Sequence, residues 1–234
     1  MVRTMNYTLD PGAVISRALD IYRENFRVLV PAAAALFAVQ LVLALVLGGG
    51  LGVFVSLVSL VLGTFYQGMV VELVRDVQDG TLDSSIAQLF ASVTPVLVTL
   101  LAVAIVFGVG VAIGFVLLVV PGLFLMTIWA VTAPVVVVER TGVLDAFRRS
   151  HALVHGNGWS VFAVVLIVVV GLAIVSALAS IATSGLGDGG SAVVAWVVTA
   201  LTQPLSAVTA AVLYFALRER AGEPPVHADA ATAE

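Results

Sequence analysis

The chain has 234 residues, of which 61% are apolar and only 10% charged, with a mean hydropathy of +1.17 and a formal net charge of -4. A soluble domain carries roughly 25% charged residues, so a large water-soluble globule is excluded. Cysteine and lysine are both absent, which excludes disulfides, thiolate metal sites, a cysteine nucleophile, a phosphate-loop lysine and a Schiff-base lysine.

The basic residues are all arginines, at Arg3, Arg17, Arg23, Arg27, Arg75, Arg140, Arg148, Arg149, Arg218 and Arg220. Between them Val28 to Val71, Ser84 to Val138, Gly156 to Gly187 and Gly189 to Leu217 contain no Asp, Glu, Lys or Arg. Each stretch is long enough for one or two membrane crossings. Six crossings put every arginine on alternate helix ends, which the positive-inside rule assigns to the cytoplasm. The expectation is an all-α, polytopic plasma-membrane protein with six transmembrane helices, cytoplasmic interfacial amphipathic helices and both termini inside. Gly49, Pro121 and Gly187 then fall outside, and Gln78, Gly142 and Glu223 inside. The opening MVRTMNYTLDPG lacks the apolar core and cleavage site of a signal peptide, so the first crossing is expected to stay in the mature protein.

In residues 1–27, Asp10 followed by Pro11 reads as an N-cap with proline at the first helical position. Val14, Ile15, Ala18, Leu19, Tyr22 and Phe26 share one face of that helix, and Arg17, Asp20, Arg23, Glu24 and Arg27 take the rest. Such a helix suits the membrane surface, with its arginines on anionic headgroups. The first crossing spans about 28–47, with a turn at Gly48-Gly49-Gly50, and the second about 51–74. Glu72 and Arg75 can pair at i,i+3 near its end. Asp83 reads as the cap of a second interfacial helix carrying Ile86, Leu89 and Phe90. Crossings follow at about 95–120 and 123–138, separated by a Pro121-Gly122 turn, and Pro134 interrupts the ladder of the second of them. Thr141 can cap a third amphipathic helix with Leu144, Phe147 and Val154 on one face and Asp145, Arg148 and Arg149 on the other. Trp159 anchors a crossing at about 159–183, a flexible turn from Ser184 to Ser191 follows, and the last crossing runs at about 192–217 with Pro204 in its middle. Residues 218–234 read as a disordered, Pro/Ala-rich cytoplasmic tail. Surface helix, crossing out and crossing back thus recur three times at about 65 residues, which raises the possibility of three helix-hairpin repeats.

The segment PGLFLMTIWAVTAPVVVVERTGVLDAFRRSHALVHGNGWSVF, from Pro121 to Phe162, carries Pro121-Gly122, Trp129, Pro134, Glu139, Ala146 to Ser150, Gly156 and Trp159. Together with the opening RALDIYRENFRVLVP and the ending LYFALRER, it resembles the membrane domain of some bacterial glycerophosphodiester phosphodiesterases and of related stand-alone multi-pass proteins of unknown function. The resemblance implies a six-helix membrane domain. That family's hydrolase resides in a separate soluble barrel which this chain lacks, so the resemblance supplies no catalytic residue.

Two constellations stand out. Gly52, Ser56, Ser59, Gly63 and Gln67 form one stripe of the second crossing, and Thr199, Ala200, Gln203, Ser206, Ala207 and Ala210 a similar stripe of the sixth. An unpaired amide in hydrocarbon costs several kcal/mol, about 2–7 by transfer measurements, so Gln40, Gln67 and Gln203 must face other helices or water. Gln40, Ser59, Gln67, Gln203 and Ser206 form the candidate polar seam, read either as packing with interhelical hydrogen bonds or as a polar cavity or lipid-headgroup groove near a kink expected at Pro204. Gly110 and Gly114 read as packing contacts. Glu72, Glu139, Arg148 and Arg149 form a candidate cytoplasmic cluster, read either as solvated interfacial charge or as a polar gate. His151 and His155 have metal-ligand spacing, but no third ligand accompanies them. No HExxH motif and no intramembrane Ser-His pair is present.

These readings favour a non-enzymatic membrane module that binds lipid or a partner protein. The alternative is a small transporter or lipid-translocating protein with a polar midplane site, and an intramembrane enzyme ranks third. Membrane lipids with anionic headgroups are the expected partners, and a protein partner or a second copy is compatible with the pattern. No cofactor, metal or nucleic acid is expected.

Overall fold

A computed structural model describes residues 9–47, 52–79 and 86–223. The Gly48 to Gly50 turn, the Asp83 cap and the tail beyond Glu223 lie outside the described residues, as do the side chains of Ile86, Leu89 and Phe90. Every regular element among the described residues is helical: α1 (Pro11–Glu24), α2 (Phe26–Leu47), α3 (Gly52–Asp79), α4 (Ile86–Val93), α5 (Leu97–Leu117), α6 (Val119–Ile128), α7 (Thr132–Glu139), α8 (Val143–Val154), α9 (Gly158–Thr183) and α10 (Gly187–Arg220), with a 3-10 turn at Thr94–Val96. Six spans are long and apolar enough to cross a membrane, the fourth being α6 and α7 together. A short helix precedes each pair of spans, and the partners touch within each pair: α2 with α3, α5 with α6, and α9 with α10.

α10 is the centre of the bundle, packing on α1, α2, α3 and α9. Three long-range side-chain donors fasten it and its neighbours. The Trp196 indole donates to the Ala34 carbonyl at 3.0 Å, the Tyr22 hydroxyl to the Leu201 carbonyl at 3.1 Å, and the buried Tyr66 hydroxyl to the Leu29 carbonyl at 2.9 Å. The core lies toward the end that carries both α1 and the C-terminus of α10. Val70, Val71, Val74, Val135 to Val137, Val208, Ala211 and Tyr214 are buried there, whereas Val46, Val116 to Val120 and Ile181 at the opposite end are exposed.

Several boundaries differ from the expected ones. Pro121 and Gly122 are not a turn: the chain reverses at extended Leu118, and both residues lie in the first turn of α6, where the N–H that proline lacks would have no intrahelical acceptor. What brings the reversal so close is Gly114, whose Cβ, if present, would lie 2.8 Å from the Gly122 Cα. Between Gly110 and Gly114 the packing reading is therefore literal, since a Cβ on Gly110 would meet the Trp129 ring at 2.6 Å. The turn expected at Ser184 to Ser191 is confined to Ser184 to Leu186, because α10 already starts at Gly187 with φ +66, a conformation natural to glycine. α10 then runs uninterrupted through Pro204, while the fourth span breaks at Trp129 to Val131, just before Pro134.

Asp10 caps α1, its carboxylate accepting from the Gly12 N–H at 2.9 Å. Thr141 does not cap α8. Gly142 holds the cap position with no side-chain bond, and the Thr141 Oγ1 is buried without a hydrogen-bond partner, because Arg140 leaves α7 in the left-handed region at φ 54 and carries the chain past the capping geometry. The amphipathic faces of α1 and α8 are turned inward. Val14, Ala18 and Ile21 are buried where α1 meets α9 and α10, and Phe147 and Val154 where α8 meets α5, α6 and α7. Leu144, expected on the same face as Phe147, instead projects with 70% of its surface exposed, as does Trp159 with 87%.

Candidate functional site

The break in the fourth span is held from both sides. Trp129 stacks edge-on to Phe147 of α8 at 4.8 Å between centroids and lies 6.3 Å from Phe107 of α5. At the end of α6, the buried Ser150 hydroxyl donates to the Ile128 carbonyl at 2.9 Å, and the Thr132 hydroxyl donates to the Trp129 carbonyl at 2.8 Å. These bonds replace the ladder that the break interrupts. Ala130 is different, because its i+4 residue is Pro134, which has no N–H to return.

Beside this break lies a cavity of about 450 Å³, lined on α3 by Ser59, Gly63, Thr64 and Gln67, on α5 by Phe107 and Gly108 among others, on the fourth span by Trp129, Ala130 and Thr132, and on α10 by Gln203. Gln203 is the seventeenth of the 34 residues of α10, and so stands near mid-depth. Gln67 is half-buried and Gln203 exposed, and neither amide hydrogen-bonds to any described residue. Three of the five seam residues, Ser59, Gln67 and Gln203, thus meet at one site. Gln40 on α2 and Ser206, one turn further along α10, are half-buried and do not line it. Ser59 returns its hydroxyl hydrogen to the Val55 carbonyl at 2.8 Å. Thr64, Ala130 and Thr132 were not legible as site residues. The one available signal was Pro134, which marks its i−4 carbonyl as lacking a donor.

The ion pairs collect at the end bearing both described termini. Glu139 receives the Arg149 guanidinium at 3.0 Å on both oxygens and the Tyr214 hydroxyl at 2.9 Å. Arg149 reaches on to Glu223 at 2.5 Å, and Arg218 of α10 meets the same carboxylate at 2.8 Å. Gly222, at φ +72, turns the chain so that Glu223 points back at both arginines. The hydrogen bond to Glu223, opposed by burial and seconded by Glu139, raises the Arg149 pKa above its ordinary value. Burial of Glu223 works against its ionisation, yet the bonds from Arg149 and Arg218 win and hold its carboxyl below the usual carboxylate range. A second group forms around buried Glu72, which pairs with Arg140 at 3.2 Å and Arg75 at 3.6 Å.

Glu72, Glu139 and Arg149 therefore fall into two ion groups. Arg148 joins neither: it faces outward from α8 and pairs with exposed Asp145 at 3.5 Å. Arg75, Arg140, Tyr214, Arg218 and Glu223 complete the two groups, and Glu223 belongs to them rather than to a free tail. His151 and His155 are exposed neighbours with ring centroids 6.3 Å apart, and no group of three metal-ligating side chains occurs among the described residues.

Over 106 residues the chain is 35% identical to a UPF0259 membrane protein of Pectobacterium carotovorum subsp. carotovorum (strain PC1), a match covering 45% of this chain and 41% of that relative. The chain thus spans less than half the length of the relative that it matches. No family model and no solved structure matches the chain. The comparisons accord with a multi-pass membrane protein of an uncharacterised kind, and they lend no support to the link with glycerophosphodiester phosphodiesterases.

Proposed function

We propose that the chain is a non-enzymatic plasma-membrane module that binds a lipid by taking part of its head into the mid-depth cavity, with both termini in the cytoplasm. The observation that carries this reading is the meeting of Gln67 and Gln203 at one cavity with neither amide partnered among the described residues. In a membrane interior an amide without a partner costs several kcal/mol, roughly 2–7, and packing alone gives no reason to keep two of them. A bound polar group or water satisfies both. The topology rests on the arginines, all of whose described positions lie at the end of the bundle that the positive-inside rule places in the cytoplasm.

A second reading, translocation of a lipid or small solute, is favoured by the discontinuous α6 and α7 at the same depth, since broken helices beside a midplane site recur in transporters. Among the described residues the cavity lining contains no ionisable side chain to couple an ion gradient, which ranks this reading below binding.

Purification in native lipid particles, followed by identification of what remains bound, tests the proposal. One lipid per chain, lost in Gln203→Leu while the folded yield is kept, is the expected result; a retained small solute favours translocation. A double-substitution cycle with Gln67→Leu gives the stricter test. Additive effects on both stability and lipid retention would mean two independent packing contacts and would end the shared-site reading.

A further inference from the structure

The mid-depth cavity is polar without being charged. Its hydrogen-bonding side chains are Ser59, Thr64, Gln67, Trp129, Thr132 and Gln203, and among the described residues no Asp, Glu, Lys, Arg or His lines it. The Ser59 and Thr132 hydroxyl hydrogens are committed to backbone carbonyls, so those oxygens present lone pairs, while each amide presents two donors and an acceptor. Such a wall matches hydroxyl and carbonyl groups. It offers a phosphate no countercharge, and an ion entering it would shed hydration without compensation. The nearest arginine along the fourth span, Arg140, lies beyond the whole of α7, a rise of roughly 12 Å.

The glycines around the cavity show that the space is kept open. A Cβ on Gly63 or Gly108 would meet nothing within 4 Å, whereas one on Gly68 of the same helix α3 would strike Val93 at 2.7 Å. Gly63 and Gly108 therefore bring no helices together; their missing side chains leave volume. Gly108 and Gln203 are exposed on the flank of the bundle, at the depth of the apolar layer, so the approach is lateral and suits a molecule already dissolved in the bilayer.

Resting on the lipid-binding reading above, we infer that the cavity selects an uncharged lipid whose head presents hydroxyl and ester carbonyl groups, of the acylglycerol class, and rejects lipids with a phosphate. Dioctanoylglycerol and dioctanoyl phosphatidate test this, because they share chains and glycerol backbone and differ only in the phosphate. Binding of each to the full chain in nanodiscs is read by native mass spectrometry. The expected result is one dioctanoylglycerol per chain, bound at least about tenfold more tightly than the phosphatidate. Gln67→Leu or Gln203→Leu should weaken it by about three- to tenfold, the worth of one or two hydrogen bonds. Gly63→Val and Gly108→Val, which fill the cavity, should weaken it with the melting temperature unchanged. Phosphatidate binding as tightly as dioctanoylglycerol, and lost in Gln203→Leu, would overturn the uncharged class and leave the lipid-binding reading standing. Binding of both lipids without regard to the four substitutions would be annular and would overturn the lipid-binding reading itself. Free glycerol binding as tightly as dioctanoylglycerol would keep the hydroxyl chemistry and overturn the lipid as its source.

Discussion

The bundle treats its polar groups in opposite ways at two levels. At the end bearing both described termini, Glu72, Glu139 and Glu223 each meet two cationic or hydroxyl partners within 3.6 Å. At mid-depth, Gln67 and Gln203 meet none among the described residues. The burial of a carboxylate is tolerable only when it is paired, so the charged end is closed on itself and fastens α3 to α7, and α7 to α8 and α10. The amides are cheaper to leave open. That difference assigns the charged end to holding the fold together and the uncharged middle to recognition.

The comparison breaks first at Glu139. It joins α7 to Arg149 of α8 and Tyr214 of α10, so Glu139→Ala removes one of the two carboxylates that hold Arg149, takes the acceptor from the buried Tyr214 phenol, and should cost about 2–3 kcal/mol. Thermal unfolding in nanodiscs measures the loss. Equal destabilisation by Gln203→Leu would erase the distinction between the two levels, because the amide has no described partner to lose.

The second test separates glycines that close the structure from those that open it. Gly114→Ala forces the α5 and α6 backbones apart and should cost about 1–3 kcal/mol, well above the gain of roughly 0.5–1 kcal/mol from replacing a helical glycine. Gly108→Ala, six residues earlier on the same helix and free of contacts, should be neutral or slightly stabilising. Unfolding midpoints of the two variants decide between these outcomes, and a reversed order would refute the close packing at Gly114.

The smallest effect belongs to Glu223. Its carboxyl is held below the ordinary range by Arg149 and Arg218, so ionised Glu223 contributes stability that is complete above the unfolded value of about 4.3 and is lost as pH falls through the lower folded value. Wild type should exceed Glu223→Gln by up to about 1 kcal/mol near neutral pH. The difference should shrink as pH falls below the unfolded value and vanish once it passes below the lowered folded value. A gap that persists in acid would place the stabilisation in packing rather than charge.

What the sequence by itself determined was the class of the molecule and the addresses of its charge. Long uncharged apolar runs have no stable alternative to spanning helices, because every backbone group must be satisfied within the segment; hence six spans follow from composition and spacing alone. The same logic made Gln67 and Gln203 conspicuous, since a costly group is informative wherever it stands. Only the tertiary structure decided which costly groups meet. Arg148 and Arg149 are adjacent in sequence, yet one helical step turns the first to the surface and the second to Glu139, and that depends on which face of α8 the core of Trp129 and Phe147 selects. Gly63 and Gly68 look alike as letters, but one borders empty space and the other touches Val93. Likewise Pro134 and Pro204 each fell inside an expected crossing, and the fold broke the helix just before the first and continued it through the second. Local periodicity specifies a face; the partner of that face is a property of long-range packing.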